Sequence, residues 1–336
     1  MSRTAAEIAT QPQLWRRAAA EAARSAGAGR SRRASDSGGP SGSGGPSGSG
    51  GPSGSGGAPG SGGVLPRAGE RVAVTGCGTS WFMALAYAAL REAAGQGETD
   101  AFAASEFPAG RAGNYDRVVA LTRSGTTTEV LQLLARLRGT TRTAALTADP
   151  GTPVVDAADE VAVLDWADEE SVVQTRFATT ALAYLRAGLG AVPGVKPVEE
   201  AALDAELAVT EPLPEALLAA EQWTFLGRGW TYGLALEAAL KMREAAGAWT
   251  EAYPAMEYRH GPIAITGPHR VAWVFGALPE GLAADVARVG GTLHAHASAD
   301  PLADLVRAQR LAVALAEARG LDPDRPRNLT RSVILP

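Results

Sequence analysis

Residues 71–80 read Arg71-Val72-Ala73-Val74-Thr75-Gly76-Cys77-Gly78-Thr79-Ser80, and the chain continues from Trp81 to Ala94 with apolar residues at helical spacing. An apolar run, a bend that glycine permits and a helix with hydroxyls at its start make a strand–turn–helix unit. The same grammar returns at residues 117–122, followed by Arg123-Ser124-Gly125-Thr126-Thr127-Thr128 and a helical pattern over 129–137. Further strands are expected at 143–147 and 160–164, and an apolar helix at about 175–189. Strands alternating with helices in this way predict a parallel, doubly wound α/β sheet.

Residues 194–211, with two prolines and several acids, read as a connection and a surface helix, after which the grammar restarts. Residues 223–226 read as a strand, Gly227-Arg228-Gly229 as a turn and 232–246 as a helix. Later strands at 271–275 and 291–295 each have a helix after them. The expectation is an α/β chain with two units of similar plan, 64–200 and 201–336, each a parallel sheet between helices in three layers. Residues 1–33 carry an Ala-rich, Arg-flanked helical pattern around Trp15. Residues 34–63 are a Gly/Ser/Pro tract in which GGPSGS repeats three times from Gly38, a composition expected to be a flexible linker without chemistry.

The 336 residues carry a net charge of −5, which counts against a protein built to neutralise nucleic-acid phosphates or anionic lipid. An anion would have to be held by a local site. No apolar run approaches the roughly 18 residues of a membrane span and no signal-peptide core opens the chain, so a cytoplasmic protein is expected. Cys77 has no intrachain partner and the histidines are only 260, 269, 294 and 296. Neither a disulfide framework, nor a metal site, nor a cofactor is expected. His294 and His296 alternate as two ordinary polar positions on one strand face, and Cys77 reads as a small filler beneath a turn.

The turns at 76–80 and 122–128 share one design: the strand ends, glycine bends the chain, and hydroxyl side chains stand where a helix exposes unpaired N–H groups and a partial positive charge. Either turn alone reads as helix capping. Two such turns on neighbouring strands favour an anion site holding a phosphate, with Thr79, Ser80, Thr122, Arg123, Ser124 and Thr127 as candidate ligands. G-x-G-x-x-G is absent from Gly76 onward, and no Walker loop occurs.

At these residues the sequence resembles the sugar isomerase (SIS) domain family, in which a GCGTS turn and an S-x-S-G-x-T turn hold a sugar phosphate. In this chain Thr122 and Arg123 replace the commoner Ser and Gln of the second turn. The resemblance extends to the isomerase half of the glutamine:fructose-6-phosphate amidotransferases and to amino-sugar-phosphate deaminases. Glu7-Ile8-Ala9-Thr10-Gln11-Pro12 is similar to an E-I-x-x-Q-P opening, and 172–180, VVQTRFATT, to a V-A-S-T-K-A-F-T-T segment. The run 235–262, ALEAALKMREAAGAWTEAYPAMEYRHGP, resembles the catalytic stretch of that half, and 325–333, RPRNLTRSV, its closing Q-P-R-N-L-A-K-S-V.

The resemblance implies an aldose–ketose isomerase or amino-sugar-phosphate deaminase acting on a hexose 6-phosphate. Glu244 is the implied general base at carbon and His260 the ring-opening imidazole, two groups suited to carrying protons through an enediol or enolamine. In the family that histidine comes from the neighbouring subunit, which implies a homodimer with a shared site. Lys241 stands three residues before Glu244 on the same helix face, where spacing alone would read as a surface ion pair. Val172, Thr330 and Arg331 are carried over as substrate contacts, and Glu251 and Glu257 fall on acidic positions open to a surface role. Arg331 stands where the family has a Schiff-base lysine, and arginine cannot serve as that nucleophile. Ser2, in place of the N-terminal cysteine of a glutamine-hydrolysing domain, leads to the expectation that this chain alone does not use glutamine. Two alternatives stay open: a module that binds a sugar phosphate without converting it, and an ammonia-using subunit with a separate glutaminase.

Overall fold

The computed structural model describes residues 2–36 and 63–335, so the repeat tract from Ser37 to residue 62 lies outside the described residues. The chain opens with α1 (Arg3–Ala9) and α2 (Gln11–Asp36), the latter continuing three residues past the expected start of the linker. The first sheet is then built from β1 (Val72–Gly76), α3 (Thr79–Ala93), β2 (Thr99–Ala103), β3 (Arg117–Leu121), α4 (Thr128–Leu137), β4 (Arg142–Thr147), α5 (Val154–Ala157), β5 (Glu160–Val163) and α6 (Arg176–Gly188). Its five strands are all parallel, in the order β2-β1-β3-β4-β5. β1 and β3 are buried along their whole length, as central strands covered on both faces must be.

After α7 (Val198–Thr210) and α8 (Glu215–Leu218) come β6 (Gln222–Gly227), α9 (Thr231–Ala246), β7 (Thr250–Pro254), β8 (Arg270–Phe275), α10 (Leu282–Arg288), β9 (Thr292–Ala295) and α11 (Pro301–Ala318). The second sheet is parallel in the order β7-β6-β8-β9, the plan of the first without a fifth strand. The expected elements appear at the expected places, and the structure adds the edge strands β2 and β7. The boundary drawn at 200/201 falls inside α7.

One apolar cluster runs through both halves, from Ile8 and Trp15 through Val74, Leu146 and Leu182 to Phe225, Trp273 and Leu311. The N-terminal helices belong to it: Trp15 is fully buried, and its indole N–H donates to Thr179 Oγ1 at 3.1 Å. α3 packs on α9 so closely that a Cβ at Gly233 would stand 2.4 Å from the Phe82 carbonyl oxygen. That crossing carries the later turns of α9 toward the first turn of α3.

Each sheet reverses its strand order once, between β1 and β3 and between β6 and β8, and the crevice beyond the strand ends at such a point is where open α/β sheets bind ligands. The two crevices differ. In the second, the Thr231 hydroxyl accepts from Arg228 N–H at 2.8 Å and lies 3.1 and 3.0 Å from the Arg228 and Phe275 carbonyls, so the turn closes on itself. The first stays open. No helix among the described residues is long and apolar enough to cross a membrane, and none of their His, Cys, Asp and Glu side chains cluster as a metal-ligand group. His294 sits edge-on to Trp273 with ring centroids 4.2 Å apart; burial, with His296 and Arg307 nearby, pushes its pKa down to about 4.

Candidate active site

The open crevice holds a cavity of about 190 Å³. Its walls are the α3 turn (residues 77–80), the β3–α4 turn (121–124 and Thr127), Val172 and Gln174 before α6, Glu244 from α9, and the tail 329–333. Glycine shapes both turns. Gly78 holds φ +53° as it enters α3, and a Cβ at Gly76 would meet the Ser80 Cβ at 2.6 Å. Gly125, at φ +64°, leaves no room for a side chain against Thr152, whose hydroxyl would lie 2.0 Å away.

Thr79, Ser80, Thr122, Arg123, Ser124, Thr127, Val172, Glu244, Thr330 and Arg331 therefore line one space. Lys241 and His260 do not line it. Lys241 lies beneath, 1% exposed, where it bonds the Glu244 carboxylate and donates to Thr79 Oγ1 at 2.9 Å. The pair is thus no surface ion pair: it joins α9 to the mouth of the α3 turn. His260 sits on the one-turn 3₁₀ helix Glu257–His260, exposed, with Glu257 also exposed and Glu251 half-buried on β7.

Sequence reading missed Glu237, one turn before Lys241 on the same face. Its carboxyl is fully buried, 3.5 Å from Lys241 Nζ and 3.3 Å from the Thr79 hydroxyl that donates to it, and its second oxygen has no partner. Burial pushes this carboxyl up to about 8, against the pull of Lys241. Burial also works to lower Lys241, but Glu237 and Glu244 outweigh it and hold the ammonium above its ordinary pKa. The three side chains form one row, Glu237 and Glu244 on either side of the Lys241 ammonium.

The unfolded chain loses the Glu237 proton near the ordinary 4.5 and the folded chain near 8, so the folded state binds more protons between them. Stability from this group is greatest below 4.5 and is lost as pH rises through that window, by at most about 1.4 kcal/mol per pH unit. Glu237→Gln is expected to gain on the wild type steadily from pH 5 to pH 8, read as the difference between their urea midpoints. A constant difference across that range would refute the assignment.

Arg123 departs most from its expected role as a phosphate ligand. Its guanidinium is 4% exposed and donates to the carbonyls of Ser171 (3.1 Å), Val172 (3.3 Å) and Arg331 (3.0 Å), with Glu169 at 3.5 Å. Glu169 in turn accepts from Thr175 N–H, Thr175 Oγ1 and Arg176 N–H at 2.8–3.0 Å, and Glu7 of α1 receives Glu170 N–H at 2.6 Å and the Ser171 hydroxyl. Arg331 grips Asp168 at 2.5 and 2.8 Å and also bonds the Glu169 carbonyl. Two arginines thereby tie the tail to the loop before α6. Ser332, also unforeseen, receives the Thr126 hydroxyl at 3.0 Å, and the Val333 carbonyl accepts from Thr128 N–H at 3.2 Å. Half-buried Cys77 has its thiol pushed up to about 11, chiefly by burial and then by Glu129, which keeps it protonated and unreactive as a nucleophile.

No family model matches the chain. It is 31% identical over 318 residues to the glutamine–fructose-6-phosphate aminotransferase (isomerizing) of Symbiobacterium thermophilum, an alignment covering 80% of this chain and 52% of that protein. This chain is a relative of the isomerizing aminotransferases. It spans about half the length of the curated relatives it matches. Among solved structures, a glucosamine-6-phosphate deaminase from Thermotoga maritima superposes with a TM-score of 0.67 at 23% identity, covering 79% of this chain and 91% of that one. A tagatose-6-phosphate ketose/aldose isomerase from Escherichia coli gives 0.67 at 17% identity, covering 99% and 96%. These likenesses establish the fold. The aminotransferase relationship bears out the resemblance read from the sequence. In this chain residues 77–80 of the GCGTS turn, Glu244 of the 235–262 run and residues 329–333 of the tail all line the cavity.

Proposed function

We propose that the chain is an enzyme of amino-sugar metabolism that moves the carbonyl of a hexose 6-phosphate, interconverting aldose and ketose forms or deaminating glucosamine 6-phosphate to fructose 6-phosphate. The observation that carries this reading is the meeting, in one cavity, of two hydroxyl-bearing helix starts with the carboxylate of Glu244. The helix starts suit the phosphate, through N–H groups and the hydroxyls of Ser80, Ser124 and Thr127, while the Thr79 hydroxyl is engaged by Glu237 and Lys241 beneath. Glu244 removes the proton from the carbon beside the carbonyl; the electron pair becomes the C=C of an enediol and the carbonyl oxygen takes up a proton. Returning the proton to the other carbon completes isomerisation. With a 2-amino sugar the same shift leaves an imine at C2, which water hydrolyses to the ketone and ammonia.

Lys241 supports the Glu244 carboxylate between turns, and Thr79 links this pair to the phosphate side. His260 is assigned the ring-opening step. Since it lies outside its own chain's cavity, the proposal includes a homodimer in which a second copy supplies it. Arg331 is assigned a positioning role through Asp168 rather than an imine with the sugar, so no enzyme-bound Schiff base is included.

Incubation with glucosamine 6-phosphate, following ammonia and fructose 6-phosphate together, tests the reading, with a wider sugar-phosphate panel beside it. Turnover on no member of the panel would overturn it. The Arg331 substitution favours one second reading, a module that binds the sugar phosphate without converting it; that reading expects ligand-induced thermal stabilisation and no turnover.

A further inference from the structure

The loop 169–176 before α6 is held at every turn. Glu169 bonds its far end through Thr175 and Arg176, Arg123 holds the carbonyls of Ser171 and Val172, and Glu7 holds Ser171 from the opposite side. The other polar side chains of this loop are also engaged: Glu170 with Arg3, and Arg176 with the Asp168 carbonyl. Gln174 is the exception. Its side chain lines the cavity, and its buried amide nitrogen has no partner within the protein. A buried amide donor left unpaired is costly, and the cost is recovered when a ligand oxygen meets it. The resembling segment of the SIS family has serine at this place, so glutamine reaches further into a cavity of only about 190 Å³.

We propose that Gln174 reads the sugar portion of the ligand, its amide donating to a hydroxyl or carbonyl oxygen of the carbon chain while the helix starts at 79–80 and 124–127 hold the phosphate. The assignment rests on the sugar-phosphate reading given above. It makes Gln174 a specificity residue whose contact is absent when the ligand is phosphate alone. The pinned loop matters because it fixes the backbone that carries Gln174, so that only this one side chain has to be ordered when the ligand arrives. A site built around such a donor rejects ligands that leave it unpaired.

The protein, its Gln174→Leu variant and its Gln174→Met variant are titrated separately with inorganic phosphate and with fructose 6-phosphate by calorimetry. Wild type is expected to bind fructose 6-phosphate more tightly than phosphate. Both variants are expected to keep the phosphate Kd within about twofold and to weaken fructose 6-phosphate by about tenfold, the effect of one lost hydrogen bond to a ligand oxygen. Methionine matches the length of glutamine and stands in if leucine unfolds the chain. An unchanged sugar-phosphate Kd in a folded variant overturns the proposal, and so does an equal loss for both ligands, which would make Gln174 a phosphate contact. If wild type binds neither ligand, the sugar-phosphate reading itself has failed and this inference falls with it. If wild type binds phosphate and not the sugar phosphate, the sugar reading fails and takes this inference with it; if wild type binds both and a folded variant does too with unchanged Kd, Gln174 alone has been misassigned.

Discussion

Glu244→Gln is expected to lower kcat on the substrate that the panel identifies by about two to four orders of magnitude, the range supplied by a positioned general base. Binding should survive. The substitution keeps the side-chain length and the amide oxygen that Lys241 can still meet, so the phosphate turns remain in place and fructose 6-phosphate should raise the melting temperature of the variant as much as that of wild type. A loss of kcat with an unchanged ligand Kd marks an interaction made in the transition state. Two outcomes would count against the assignment. Unchanged turnover would remove Glu244 from the chemistry, and loss of ligand-induced stabilisation together with activity would make it a binding group.

The parts of this site legible in sequence were those with a local signature. Gly76, Gly78 and Gly125 announce turns because tight bends and positive φ suit glycine alone, and the hydroxyls beside them mark helix starts. Glu244 and Lys241 were legible as one helix face, although spacing could not say that the face is buried. Strands β2 and β7 were missed for a physical reason: they lie at sheet edges, are half-buried, and carry Asp100, Glu251 and Pro254, so neither shows the unbroken apolar run of β1 or β3. Contacts between distant segments had no local trace at all. Nothing in the neighbourhood of Gly233 says that Phe82 will lie against it, and nothing near Glu7 says that it will hold Ser171. For the same reason nothing beside Arg123, flanked by hydroxyls, says that its guanidinium will reach carbonyls 48 and 208 residues away.

That difference in Arg123 gives the second large effect. A residue that only contacts phosphate can be removed with a loss of affinity and little change in stability. Arg123 is instead one partner of a buried ion pair with Glu169, whose side chain is 0% exposed and whose carboxyl burial pushes up while Arg123 pulls it back. Removing one partner of such a pair leaves the other charge uncompensated, at a cost of about 3–5 kcal/mol. Arg123→Met should therefore shift the urea midpoint by an amount equivalent to about 3 kcal/mol, and it should also release Ser171, Val172 and the Arg331 carbonyl from one another. The cavity wall loosens as a consequence, so affinity for fructose 6-phosphate falls together with stability. The double variant Arg123→Met/Glu169→Gln separates the two causes. If the pair is a bracket, neutralising the stranded carboxylate recovers much of the lost stability, while the untied loop keeps ligand affinity low. If Arg123 were a phosphate ligand alone, the single variant would melt as wild type does and only the titration would change.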